Sequence, residues 1–311
     1  MILILLILTV TATYTWFSIS TTPSVSDMYL CANAQSGLEL SADPGAEEWQ
    51  LQLDFNSLLN ADTILRPVTW SEQNQTFYAP TYGFDGRIIG WTALSDSQHA
   101  NTPSPYGYYV RAVFYARSEQ AADVELAPAV EVEEGTKGAG TFLIGYPEWD
   151  SQEIVHNNAG LGGECAVRFG FRITPVNSSG AATGARSPFI IYEPNSNAHL
   201  PHVEATGYVP TPSIDGTPTL VDESRLILQD TSFWTEVNPV QRDVQMYHLG
   251  EFTTDTSLFS LPSGGMVRIE LYIWLEGQDV DCDSIVEQAK VLGNIQFRPE
   301  NDAQSGMVPI P

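Results

Sequence analysis

Positive charge is scarce in this chain. Its 311 residues carry 13 Lys and Arg against 38 Asp and Glu, a net charge of −25. A surface this short of cations cannot neutralise a run of phosphates, which excludes nucleic acid as a partner, and it is repelled by anionic lipid headgroups. Cysteine is scarce too. Cys31, Cys165 and Cys282 are the only three, and no C-x-x-C pair occurs. A zinc knuckle and a thioredoxin-like motif are thereby excluded, and at most one intrachain disulfide can form. The signatures G-x-S-x-G, H-E-x-x-H and the P-loop are all missing, and no internal repeat is visible. Charge of either sign is missing from the first 26 residues, and Asp27 is the first charged side chain.

That uncharged start is apolar over residues 1–12, MILILLILTVTA. Extended to Phe17 it reaches the lower end of a membrane span, about 17 residues, and it also suits a signal-peptide core of about 7–15 residues. Val10 and Ala12 provide the small residues needed for cleavage after Ala12. No Lys or Arg precedes the run, so the expectation is that the true start lies upstream. The absence of any Glu before Glu39 argues against a type IV pilin helix, whose motif places a glutamate near the start. Residues 1–26 are therefore read as a signal peptide or membrane anchor with a short linker. The expected location is extracellular or at the cell surface, with the membrane reached through this segment only.

Beyond residue 27 the pattern changes to period two, the repeat of a strand with unlike faces. In ECAVRFGFRITPV, Cys165, Val167, Phe169, Phe171 and Ile173 alternate with Ala166, Arg168, Gly170, Arg172 and Thr174. In MVRIELYIWLEG, Val267, Ile269, Leu271, Ile273 and Leu275 share one side, and Arg268, Glu270, Tyr272 and Trp274 share the other. YYVRAVFYARS, SPFIIYEPN and NIQFRP are further strand candidates. Pro128 marks an edge strand or a break between two short ones. Residues 47–60 mix periods and suit helix or strand. Asp283 or Ser284 as cap and Gly293 as stop predict a short helix before the last strand. The expected fold is all-β: an antiparallel β-sandwich, jelly-roll-like, with one or two short helices, preceded by the N-terminal hydrophobic segment. The Pro- and Thr-rich stretch 208–220 could link two domains. One interleaved domain over residues 27–298, with a polar tail at 299–311, accounts better for the final apolar strands.

The stretch ATYTWFS resembles the exit of signal peptides cut by the SipW-type signal peptidase. Thr13, Tyr14 and Phe17 match that pattern, and Trp16 stands where an aromatic or small residue is common. The glycine before the Thr and the acidic residue after the Phe are absent. Proteins with such signals are similar to TasA and camelysin, secreted β-sandwich proteins of Gram-positive bacteria, some of which polymerise into matrix fibres. SGLELSAD, LRPVTW, YYVRAVFYARSE, VRFGFRI, FIIYEPNSNAH and RIELYIWLEGQDVDCDS together resemble a group of surface proteins of gut Firmicutes. That resemblance implies an address and an architecture, and it assigns no functional residue.

Candidate sites are few. Asp279, Asp281 and Asp283 have the D-x-D-x-D spacing with which alternate carboxylates hold Ca²⁺. Ser284 in place of Gly and Lys290 in place of a bidentate Glu exclude an EF-hand, leaving a looser calcium loop or a solvated turn. His199, His202 and Glu204 could converge on a metal only at a turn, because Pro201 interrupts a helix and residues three apart on a strand face opposite ways. Cys165 follows a Gly-rich run, yet its phase places it with the core. Tyr272 and Trp274 lie on the polar side of their strand, and Tyr106, Tyr108 and Tyr109 cluster near a loop. Such rings form glycan or protein platforms, or pack beneath a loop or short helix. The expected function is an exported structural or adhesive protein, self-assembling by strand addition with residues 14–25 as the donor. A carbohydrate-binding module and a glycoside-hydrolase-like enzyme with dispersed carboxylates are the alternatives. No catalytic residue is assigned, and Ca²⁺ is the one cofactor considered.

Overall fold

The computed structural model describes residues 25–35, 37–55, 64–71, 74–82, 88–95, 106–131, 136–145, 147–149, 155–157, 163–195, 245–246, 257–277, 279, 282 and 289–299. In chain order the strands are β1 Val25–Ala34, β2 Leu38–Ser41, β3 Gln52–Asp54, β4 Ile64–Leu65, β5 Pro67–Ser71, β6 Thr76–Tyr82, β7 Ile88–Ala93, β8 Tyr106–Gly107, β9 Tyr109–Ser118 and β10 Ala122–Leu126. They continue with β11 Val130–Glu131, β12 Thr136–Ala139, β13 Phe142–Gly145, β14 Pro147–Trp149 and β15 Val155–Asn157. One helical turn, α1 Gly163–Ala166, leads into β16 Val167–Val176. The last strands are β17 Ile190–Tyr192, β18 Gln245–Met246, β19 Phe259–Leu261, β20 Met266–Glu276 and β21 Ala289–Pro299. The chain is thus an all-β sandwich.

Two large sheets face each other. In one, β21 is central, with β1 on one side and β10 and β13 on the other. In the other, β20 is central, between β16 and β9. Period two explains the packing. Val167, Phe169, Phe171 and Ile173 of β16 meet Val267, Ile269, Leu271 and Ile273 of β20 and Val110, Ala112, Phe114 and Ala116 of β9 in one buried core. The first sheet supplies Leu30, Ala32, Val291, Ile295 and Phe297 to that core. Each fully buried large side chain there contributes roughly 1.5–3 kcal/mol relative to exposure. The sheets are mixed where antiparallel pairing was expected: β1 runs parallel to β21, and β20 runs parallel to β5 at its end.

Two local expectations are corrected and one open reading is decided. β21 begins at Ala289, so the second half of the predicted helix at 284–293 is strand, and residues 283–288 lie outside the described residues. Pairing with β1, β13 and β10 outweighs the cap signals. Gly293, read as a helix stop, sits in mid-strand, where an added Cβ would stand 3.0 Å from Leu30 and 3.2 Å from Leu143. Residues 52–54 form β3, so the mixed-period stretch is strand there. Cys165 lies in α1 and not on β16, although it is buried as expected. Pro128 falls between β10 and β11. Residues 1–24, 208–220 and 300–311 lie outside the described residues, whereas residues 25 and 26, counted with the N-terminal segment, open β1.

Candidate functional site

The outer face of the β16–β20–β9 sheet, turned away from the main core, collects basic residues. Arg168 and Arg172 of β16, Arg268 of β20 and Arg111 and Arg117 of β9 share that face by alternation, and Arg186 reaches it from the 177–189 loop. These are six of the 13 Lys and Arg in the chain. The loop is held against β16: Ser187 N–H donates to the Ile173 carbonyl at 2.7 Å, and Ser187 Oγ accepts from Ile173 N–H at 3.0 Å. Arg186 is therefore placed by its neighbour.

One end of the face is covered. β5 leaves the side of β20 at Leu275 and Glu276, and with β6 it lays Val68, Trp70, Phe77 and Ala79 over the sheet. A second core forms beneath. Trp70 stacks on Phe189 at 4.2 Å, and Phe77 packs edge-on against Trp274 at 5.3 Å. Gly170 makes the slot: an added Cβ there would lie 2.4 Å from the Phe189 ring and 2.9 Å from Trp274. Arg172 stacks over Trp70 at 4.9 Å. Arg168, 1% exposed, pairs through one guanidinium nitrogen with Glu193 at 2.8 Å and with Asp279. Its other terminal nitrogen donates to the Cys165 carbonyl at 3.1 Å and the Val167 carbonyl at 3.3 Å. Trp274 Nε1 donates to Glu276 at 3.0 Å, and Glu276 adds its charge to the field at Arg168.

At the other end Glu270, 3% exposed, is ringed by cations. Its Oε2 lies 2.7 Å from Arg186 and 2.9 Å from Arg111, and its Oε1 lies 3.3 Å from Arg268. Tyr272 donates its hydroxyl to Oε2 at 3.1 Å. Burial alone would raise the Glu270 pKa, but Arg186, Arg111 and the Tyr272 hydroxyl outweigh it and hold the carboxyl below its usual 4.5. Burial, then the Glu270 charge, push the Tyr272 phenol above its usual 10, so it stays a donor. The three guanidinium side chains are 36%, 40% and 33% exposed. Among the described residues, three cations are paired with this one buried carboxylate. Arg117, on the same face, is paired with Glu39 at 2.7 Å and stacked over Trp49 at 4.3 Å.

The chain matches no family model, no curated protein and no solved structure.

The residues singled out from sequence meet different fates. Trp274 and Tyr272 do lie on the face opposite the main core, but they are buried, at 0% and 9% exposure, beneath β5 and β6. The expectation of an exposed aromatic platform there is corrected: Trp274 presents no accessible ring face. Tyr109 is buried in the same cluster, with Tyr108 packed against it. Asp279 is 4% exposed and bonded to Arg168, so it stands neither in a solvated turn nor as a ready cation ligand. Asp281, Asp283, His199, His202 and Glu204 lie outside the described residues. Among the described residues no three His, Cys, Asp or Glu side chains are arranged to hold a metal ion. All three cysteines are free thiols. Cys31 donates to Asn294 Oδ1 at 2.9 Å, and burial pushes its thiol up to about 12, which makes it inert.

Sequence reading missed the arginine ring around Glu270. The signal was available in part: Arg268, Glu270 and Tyr272 alternate on one strand, and Arg111 and Arg117 stand in a second strand candidate. Their convergence needs the β16–β20–β9 order, which alternation within one strand does not supply.

Proposed function

We propose that this chain is an exported surface or matrix structural protein that acts by contact with copies of itself, in the manner of TasA-like proteins. The observation that carries the reading is the position of β1. Val25, the first residue of that strand, already pairs with Ala289 on one side and Leu65 on the other. The Ser- and Thr-rich residues 14–24 therefore lead straight into a strand seated inside an eight-stranded sheet. A segment continuous with a sheet strand suits strand addition to a neighbour, where backbone hydrogen bonds supply affinity and alternate side chains supply register. The apolar leader before it supports export.

The test is deletion of residues 14–24, which leaves β1 whole, in a secreted form of the protein viewed by electron microscopy. Loss of polymer with an unchanged melting profile is the expected result. Unaltered fibres would remove residues 14–24 as donor.

A further inference from the structure

We infer that the arginine ring around Glu270 receives the acidic segment 43–54 of a second copy of this chain. The inference rests on the reading of the protein as self-associating.

Charge complementarity carries it. In a chain of net charge −25, the outer face of the β16–β20–β9 sheet holds six of the 13 basic residues. Arg111, Arg186 and Arg268 surround one carboxylate and keep about a third of each side chain in solvent. A guanidinium has five N–H donors in a planar fork, so Arg186 and Arg268, 40% and 33% exposed beside Glu270, turn further donors toward solvent and a second carboxylate. The ring cannot dock on itself, because like charges would meet.

The complementary surface is identifiable. Asp43, Glu47 and Glu48 are exposed on the segment joining β2 to β3. Leu51 in that segment, 53% exposed, and Val113 beside Glu270 on the sheet face, 40% exposed, are the exposed large hydrophobic residues among those described. Each charged patch thus carries one apolar residue, the composition of a contact with a small dry centre and a charged rim. The segment has a fixed shape. Trp49 is pinned beneath Arg117, and Leu40 and Gln50 exchange backbone hydrogen bonds at 2.7 and 2.9 Å. Ordering costs on association are therefore low.

Salt is a poor probe here, because it also screens the mutual repulsion of two chains of net charge −25. Charge exchange separates the two effects. Arg186→Glu, with Arg186→Gln as the neutral counterpart, is compared with the double variant Glu47→Arg/Glu48→Arg. All are full-length chains in a mild nonionic detergent, followed by sedimentation, with thermal melting to confirm folding. The wild type is expected to associate. Each charge-reversal variant alone is expected to associate about tenfold or more weakly. An equimolar mixture is expected to recover association, since each variant keeps the half that the other lacks. Wild-type association that survives both reversals would overturn the docking assignment while leaving self-association standing. A wild type that sediments as single copies would remove both. Titration with heparin and with oligogalacturonate completes the test: binding that depends on Arg186, without self-association, reassigns the ring to an acidic glycan.

Discussion

The outer face of the β16–β20–β9 sheet carries two charge clusters that are inverses of each other. At the covered end one cation, Arg168, pairs with Glu193 and Asp279 and feels Glu276. At the open end one carboxylate, Glu270, is held by Arg111, Arg186 and Arg268. The same alternation of the same strands produces both. What differs is the cover. Beneath β5 and β6 the Arg168 group is sealed, so its charges must match internally or carry a large desolvation penalty. Glu193 follows β17 and Asp279 follows β20, so Arg168, near the start of β16, fastens two strand exits to one entry. The Glu270 group keeps water on its arginine heads and can exchange partners. Tyr272 marks the boundary, with its ring in the second core and its hydroxyl on Glu270.

Removing the cation from the sealed cluster is the sharpest way to break this contrast. Arg168→Met fills much of the volume but leaves Glu193 and Asp279 buried without their guanidinium. Loss of one partner from a buried pair costs about 3–5 kcal/mol, and urea unfolding at neutral pH should read a loss of that size. A loss within 1 kcal/mol, on the order of a surface pair, would show that the two ends are not different in kind. The next largest effect comes from Gly170→Ala. Its methyl group would meet the Phe189 and Trp274 rings at 2.4 and 2.9 Å, and overpacking of this sort costs about 1–3 kcal/mol. Near-ultraviolet circular dichroism should lose the Trp signal of the covered end. An unchanged spectrum and an unchanged midpoint would mean that the rings are not locked there.

Much of the sandwich was legible in the sequence, and the reason is physical. A half-buried strand must alternate, so Val167 to Ile173 and Val267 to Leu275 announced their core faces without any knowledge of partners. The fate of the opposite face was not legible. Period two says that Trp274 and Arg172 point away from the core, but not that Phe77 and Trp70, far away in the sequence, will lie against them. Asp279 failed for the same reason. Its spacing from Asp281 and Asp283 suggested an ion, whereas its partner is a guanidinium 111 residues earlier. Gly293 illustrates the opposite failure, a local signal outvoted. A glycine after an apolar stretch reads as a helix stop, but here the missing Cβ lets Leu30, Leu143 and Phe169 close around a strand.

The smallest expected effect tests the open end. Glu270→Gln keeps the shape and removes the charge. The amide turns two N–H donors toward a ring made of donors and leaves one carbonyl oxygen where two carboxylate oxygens accepted. Because the three arginines are partly in water, the loss at neutral pH should be about 1 kcal/mol. Its pH dependence has a fixed sign. Glu270 titrates below its usual 4.5 in the folded chain, so the unfolded chain takes up this proton first as the pH falls. The stabilisation is complete above about pH 4.5 and is lost as the pH drops through the lower folded value. The stability difference between wild type and Glu270→Gln should therefore be flat from neutral pH down to about 4.5 and close below it. A difference that instead widened with acid would mean that the ring does not hold Glu270 ionised, and the contrast with the sealed cluster would have to be drawn on burial alone.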